Sequence, residues 1–285
     1  MNNNDFLSIL SRIVADDLPA TIRSAPTGVT IVIPNWNHEF VLVRAVRSAL
    51  ASVKTLTEQQ VSAEVLVIDD QSRDGSLTLL RQLEALYFDD GLRVLALSRN
   101  VGVVAVRNRA LLEASYRYIV FMDADNELVP ENIHTFYRSI EQTNAAVVYG
   151  NIIQHGLNNE YLNLMNNESF QNHIFRENYI DTFALYDRLQ IFDSGGYEEN
   201  FILHGHEDWE LFLHLAASGR RLVFVPVVFG IYHDMPSSRV KSVREPAHIQ
   251  ERQAYLERVF DQLGIREKQL PNTHQLRYHP DIGYI

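Results

Sequence analysis

Apolar positions along the first half of the chain come in short β-branched runs separated by segments of helical period. Val29-Thr30-Ile31-Val32-Ile33-Pro34 is such a run, closed by proline, and predicts a buried strand. Residues 39–51 follow with Val43, Val46 and Leu50 at helical spacing and Arg44 and Arg47 on other faces, which predicts a helix. A second strand over residues 64–68 stops at Asp69-Asp70-Gln71-Ser72, and Arg73-Asp74-Gly75-Ser76 then supplies turn and helix-start chemistry before Leu77, Leu80 and Leu83. A third strand over 93–97 leads through Ser98-Arg99-Asn100-Val101-Gly102 to a helix over 103–114. The next apolar run, Tyr118-Ile119-Val120-Phe121-Met122, ends abruptly at Asp123-Ala124-Asp125-Asn126. Strands alternating with helices of ordinary length indicate βαβ units and an α/β fold with a mainly parallel central sheet.

The second half is less regular. Residues 147–151 read as a strand, and 158–172 as a polar, asparagine-rich surface excursion. Glu207-Asp208-Trp209-Glu210 begins a helix whose Leu211, Leu213, Leu215 and Ala216 supply apolar surface, and residues 222–228 form a strand leading to His233. Phe6, Leu10 and Ile13 suggest an added N-terminal helix, and Tyr255, Val259 and Leu263 line one side of a helix over 247–263. The expected organisation is an N-terminal extension over 1–28, a main domain over 29–240 with halves at 29–126 and 127–240, and a C-terminal helix and tail over 241–285. The terminal additions could pack on the core, mediate a homodimer or rest against a membrane.

Composition narrows the classes. With 285 residues, 46% of them hydrophobic, the chain can bury one large core or two fused lobes. A net charge of −11 argues against a nucleic-acid surface and does not favour unaided binding to anionic lipid. There is no cysteine, hence no disulfide or thiolate metal site, and no uninterrupted apolar stretch long enough to span a bilayer. The expected location is cytoplasmic or peripheral to the inner face of a membrane. With no secretory signal read, the Asn-Glu-Ser at Asn167 carries no weight as a glycosylation acceptor.

The acidic pair Asp123/Asp125 is the chemical centre of this pattern. In open α/β sheets ligands collect at the carboxyl ends of strands, where two neighbouring carboxylates repel each other unless a cation neutralises them. Hard oxygen donors suit Mg²⁺ or Mn²⁺, which commonly bridge protein carboxylates to substrate phosphates. A plain polar turn is the competing reading. An EF-hand is excluded, because its sixth and twelfth positions fall on Leu128 and His134. An aspartyl-phosphate phosphatase is disfavoured by the surrounding motifs. Neither a Gly-x-Gly-x-x-Gly nor a Walker lysine loop occurs.

Taken in order, Val-Ile-Pro-Asn-Trp-Asn, Val-Leu-Val-Ile-Asp-Asp-Gln-Ser-Arg-Asp-Gly-Ser, Arg-Asn-Val-Gly…Arg-Asn and Phe-Met-Asp-Ala-Asp-Asn resemble the nucleotide-binding half of family 2 glycosyltransferases. Gly195-Gly196-Tyr197-Glu198-Glu199-Asn200-Phe201 and Gly205-His206-Glu207-Asp208-Trp209-Glu210 continue the resemblance, which runs from about Val29 to about His233. It implies a GT-A fold and an inverting, metal-dependent transfer from a nucleotide sugar, a UDP-sugar by expectation, to a glycan or lipid-linked acceptor.

By this resemblance Pro34 and Trp36 line the nucleobase, the indole offering a flat aromatic face. Asp70 corresponds to the carboxylate that accepts the N3–H of uracil or thymine, with Asp69 as its partner and helix capping as the structural alternative for Asp69. Arg107 would face the ribose–diphosphate, and either Arg99 or Arg107 could instead pair with a surface carboxylate. Asp125 is expected to bind the metal directly, Asp123 to reach the ribose or a metal-bound water, and His233 to be a third ligand. Asp208 resembles the general base, with Glu207 the next candidate and Glu210 a distant third; Trp209 would form a platform for the acceptor sugar. Ser237-Ser238-Arg239 would belong to a loop closing over the donor. A nucleotidyltransferase would share architecture and metal but carries a glycine-rich basic loop where this chain has Asn35-Trp36-Asn37. A binding module that has lost catalysis is the other alternative.

Overall fold

The computed structural model describes residues 23–166, 173–175, 178–198, 207–235 and 246–265, together with two short strand pieces near the C-terminus. Nine strands form one sheet: β1 (Val29–Asn35), β2 (Ala63–Asp69), β3 (Leu92–Ala96), β4 (Tyr118–Phe121), β5 (Glu127–Leu128), β6 (Val147–His155), β7 (Tyr161–Met165), β8 (Leu185–Asp187) and β9 (Leu222–His233). Their order is β3-β2-β1-β4-β8-β6-β9-β5, with β7 added to β6. The first four are mutually parallel, β8 runs antiparallel between β4 and β6, and β9 lies parallel to β6. The chain passes from β1 to β2 on one side and returns to β4 on the other. That reversal opens a crevice at the carboxyl ends of β1, β2 and β4.

Among the described residues seven α-helices accompany the sheet: α1 (Glu39–Glu58), α2 (Ser76–Tyr87), α3 (Val103–Glu113), α4 (Ile133–Thr143), α5 (Arg188–Asp193), α6 (Glu207–Ala217) and α7 (Pro246–Gln262). The period-two alternation of the strands builds two apolar layers. Ile31, Ile33, Val65, Val67 and Val120 point toward α1 and α4, whereas Val32, Leu66, Ile68, Ile119 and Phe121 point toward α3 and α6. Both faces are buried, which is why these strands read as nearly continuous apolar runs.

Several expectations need adjusting. Helix α1 extends to Glu58 and buries Leu42, Ala45, Val46 and Ala49; Val43 is 38% exposed, one position off the packed face. The asparagine-rich excursion contains β7, paired antiparallel to β6 with Tyr161, Leu162 and Leu164 exposed. Helix α7 packs on the core: Leu256 and Val259 close against Leu213 of α6, and the Tyr255 hydroxyl donates to Glu210 Oε1 at 2.9 Å. No helix among the described residues is long and apolar enough to cross a membrane. The N-terminal helix, the Asn167 sequence, residues 199–206 and Ser237-Ser238-Arg239 lie outside the described residues.

Candidate active site

The β1–β2 end of the crevice is built from loops that hold each other. The Asn35 side-chain amide donates to Asp69 Oδ1 at 2.8 Å, and Asp69 also accepts the amide N–H and hydroxyl of Ser72 at 3.0 and 2.6 Å. Asn37, in a left-handed conformation at φ 60°, accepts the N–H of Arg73 at 2.7 Å and donates its own N–H to Ser72 Oγ at 3.0 Å. Pro34 stays within β1, beside Ile68 of β2, and the loop lifts Trp36 to 41% exposure at the crevice rim. Asp69 therefore caps the Gln71–Arg73 turn rather than the helix beyond it.

Asp70 is buried, and each of its oxygens takes a backbone amide: Oδ1 from Val101 at 2.7 Å and Oδ2 from Gly102 at 2.8 Å. Gly102 precedes α3 with φ 86°, a backbone that favours glycine. Asp70 thus ties the start of α3 to the sheet, a framework role that the base-recognition expectation did not include. Arg99 is exposed in this same loop.

Helix α3 projects Arg107 into the crevice. Its guanidinium is buried and spans two carboxylates, with Nη2 3.3 Å from Asp123 Oδ1 and Nη1 3.0 Å from Glu207 Oε1. It also lies over the Tyr197 ring at 5.7 Å. The neighbouring Asn108 holds Tyr197 by both backbone groups, donating to its carbonyl at 2.8 Å and accepting its N–H at 2.9 Å. One helix thereby joins the end of β4 to the start of α6. Arg107 is kept charged by the carboxylates around it, Asp123 foremost, against the cost of burial.

Asp123 and Asp125 follow β4. Burial and the charge of Asp123 push the Asp125 carboxyl up to about 7, only partly offset by Arg44. Arg44 donates to the Asp125 carbonyl at 2.7 Å and lies 3.4 Å from Glu127. His233, expected as a third metal ligand, has Nε2 2.7 Å from Glu127 Oε1, and its N–H is donated to Asn126 Oδ1 at 3.2 Å. One imidazole nitrogen is thus committed to Glu127. Among the described residues no group of three or more His, Asp or Glu is gathered around an ion position. The two Asp carboxylates do suit a hard cation: they are oxygen donors, they repel each other, and Mg²⁺ or Mn²⁺ ordinarily takes one or two protein carboxylates plus phosphate and water.

At the start of α6, Asp208 is pushed up to about 7 by burial and by the charges of Glu207 and Asp181. Asn178 donates to Asp208 Oδ1 at 3.1 Å, orienting the carboxyl. Glu207 is engaged by Arg107, and Glu210 faces α7 through Tyr255, so the three acids of this turn are distinguished by their partners. Trp209 is half-buried: its indole N–H donates to the Ile174 carbonyl at 2.6 Å and its ring meets Phe260 of α7 edge-on. Asp181, absent from the sequence-based site, is raised to about 6 by burial and by Asp123. Arg44, Glu127 and Asn178 are further members that motif reading passed over, because none lies in a recognisable block.

Comparison with known proteins agrees with this geometry. The family described as Glycosyl transferase family 2 matches residues 30–200, more than half of the chain, and the chain belongs to it. The succinoglycan biosynthesis protein ExoO of Rhizobium meliloti is 34% identical over 128 residues, covering 45% of this chain and 33% of that protein. The glycosyltransferase AglE of Haloferax volcanii is 25% identical over 73% of this chain and 67% of its own length. For the first of the curated relatives the matched part is only about a third of the whole. Among solved structures, Staphylococcus aureus TarS 1-349 in complex with UDP-GlcNAc superposes with a TM-score of 0.57 at 17% identity, covering 82% of this chain and 73% of that one. The mannosyltransferase PcManGT from Pyrobaculum calidifontis, in complex with GDP-Man and Mn²⁺, gives 0.57 at 15% identity over 90% and 74%. At such identities the structural likeness establishes the fold, which is of the GT-A type.

Proposed function

We propose that this protein transfers a sugar from a nucleoside-diphosphate sugar, a UDP-sugar by preference, to a hydroxyl of a glycan or lipid-linked acceptor, with inversion at the anomeric carbon. The observation that carries the reading is the Arg107 bridge, 3.3 Å to Asp123 and 3.0 Å to Glu207, which holds the strand-end carboxylate pair and the Asp208 turn on one crevice.

In this reading Trp36 stacks on the base. The Asp70 carboxylate can still accept the uracil N3–H, since each oxygen has a second lone pair beyond the amide it holds. Asp125, with Asp123, would hold Mn²⁺ or Mg²⁺; when bound, the ion neutralises their repulsion and the charge of the departing diphosphate. Asp208 removes the proton from the acceptor hydroxyl as that oxygen bonds to the anomeric carbon. The carbon–oxygen bond to the diphosphate breaks on the opposite side, and its electron pair leaves with the nucleoside diphosphate. A base near neutrality is well matched to that task, because it is ionised at working pH yet basic enough to accept a proton. Arg107, fixed beside Asp123, opposes the charge that develops on the leaving group.

The deciding experiment incubates the protein with a panel of nucleotide sugars, Mn²⁺ or Mg²⁺ and candidate acceptors, reading the product anomer by NMR. Net inversion is expected, and a retained configuration would refute the single-displacement role of Asp208. In parallel, UDP should raise the melting temperature with Mn²⁺ and far less with EDTA; saturation at a hundredfold excess over Kd corresponds to ~2.7 kcal/mol. Equal stabilisation in both conditions would remove the metal from the reading, and a preference for ADP or GDP would remove Asp70 from base selection.

A further inference from the structure

Asp181 has a charge that its local structure does not require. Its Oδ1 accepts the N–H of Phe183 two residues on, at 2.8 Å, closing a turn that asparagine or serine would close equally well without charge. Its backbone N–H donates to Asn166 Oδ1 at 3.0 Å, and Asn166 is in turn bonded to the Gly150 carbonyl of β6 at 3.0 Å. The residue is therefore held on the sheet rather than on a free loop. Among the described residues no hydrogen-bond donor is paired with its other carboxylate oxygen.

The residues around Asp181 fix where it stands. Three positions before it, Asn178 donates to Asp208 Oδ1 at 3.1 Å; immediately after it, the Thr182 hydroxyl lies 3.3 Å from the Tyr197 hydroxyl, whose ring Arg107 covers. Asp181 itself is close enough to Asp123, Glu207 and Arg107 to feel their charges, and Asp208 feels its own. Asp181 thus stands between the carboxylate pair assigned to the diphosphate and the acid assigned to the acceptor proton. In a sugar transfer, what occupies that interval is the sugar being moved.

We propose that Asp181 accepts a hydrogen bond from a ring hydroxyl of the transferred sugar and so helps determine which donor sugar is used. The proposal rests on the glycosyl-transfer reading. An ionised carboxylate is an acceptor only, sugar hydroxyls are donors, and a charge-assisted hydrogen bond in a half-buried site is among the stronger polar contacts available. It also gives the uncompensated charge of Asp181 a function that the turn alone does not.

The test uses Asp181→Asn, which preserves size and the turn-closing oxygen. Calorimetry with Mn²⁺ compares UDP and the preferred UDP-sugar on both proteins, and transfer kinetics add donors lacking one ring hydroxyl at a time. The variant is expected to bind UDP as the parent does. Its kcat/KM for the full donor should fall about 10–100-fold. It should also lose the parent's discrimination against one particular deoxy donor. Unchanged kcat/KM and deoxy discrimination would overturn the proposal, leaving the residue a turn former. An equal loss of UDP affinity would overturn it in favour of a role at the diphosphate. If the parent binds UDP-sugars but transfers none, the transfer reading fails on its own. The comparison of UDP-sugar with UDP affinity then still judges Asp181. Failure to bind any nucleotide sugar would overturn both.

Discussion

The two ends of the crevice use aspartate in opposite ways. At the β1–β2 end, Asp69 and Asp70 are buried and satisfied: between them they accept the amides of Ser72, Val101 and Gly102, the Ser72 hydroxyl and the Asn35 side chain. At the β4–α6 end, Asp125, Asp181 and Asp208 are each raised toward neutral pH by burial and by neighbouring carboxylates, Asp123 for the first two and Glu207 with Asp181 for the third. Hydrogen-bond donors aimed at a carboxylate stabilise its charged form and make it framework. Carboxylates crowded together and desolvated keep a strong affinity for protons or cations, which is the property chemistry requires.

The contrast can be broken most sharply at Asp208. Asp208→Asn keeps shape and hydrogen bonding while removing basicity, so transfer should fall by roughly 10²–10⁴-fold with UDP affinity unchanged. In the parent the base must be ionised. With its carboxyl pushed up to about 7, kcat/KM should drop about tenfold per pH unit below that value and level off above it. A pH profile flat between 5 and 8, or near-normal turnover by the variant, would contradict the assignment; if Glu207→Gln were the dead variant, the base would move by one residue.

A smaller effect is expected at the satisfied end. Asp70→Ala strands the amides of Val101 and Gly102 at the start of α3 and should cost about 1–3 kcal/mol in chemical denaturation. Transfer should also suffer, because Arg107 lies a single turn further along that helix. A variant as stable as the parent would mean the amides find water at no cost, and the framework role would lapse.

The smallest effect sharpens the same comparison with the sign reversed. The Asp125 carboxyl is raised relative to an ordinary aspartate of 3.8, so its contribution to folding is fully present below about pH 4 and is lost as pH rises through about 7. Asp125→Asn should therefore stabilise the metal-free protein at pH 8, by ~1 kcal/mol at most once screening is allowed for, and leave it unchanged near pH 4. The same variant should lose the Mn²⁺-dependent part of UDP stabilisation. Destabilisation at pH 8 in EDTA would show that the carboxylate supports the fold instead of straining it.

Much of the first half was legible because its signals are local. Apolar runs stop where strands stop, and Asp69, Asp70, Asp123 and Asp125 stand at those stops. What stayed hidden depends on partners far apart in sequence. The donors that claim Asp70 lie 31 and 32 residues downstream, and nothing near either segment announces the pairing. Asp181 sits in Tyr179-Ile180-Asp181-Thr182-Phe183, a stretch with no motif, and gains meaning only when Asn178 reaches Asp208 and Thr182 reaches Tyr197. Strand β7 escaped because its exposed Tyr161, Leu162 and Leu164 lie on both faces of the strand, without the alternation that a buried face imposes. The docking of α7 against Trp209 is likewise a contact between segments far apart in sequence that no local pattern announces.

The adjacency of Arg107 and Asn108 has an engineering consequence. One residue grips Asp123 and Glu207, and the next grips the backbone of Tyr197, where Gly196 leaves no room for a side chain: an added Cβ would come within 2.9 Å of Asn108. These two side chains form the seam along which any chimera between this chain and a relative must be cut. A transplanted second half would have to bring an acid that meets Arg107 and a glycine that fits beneath Asn108, whatever acceptor it had evolved to serve. It would also have to keep the pairing of β8 with β4 and the Arg117–Asp187 ion pair, so α3 is one docking key among several for exchanging specificity by recombination.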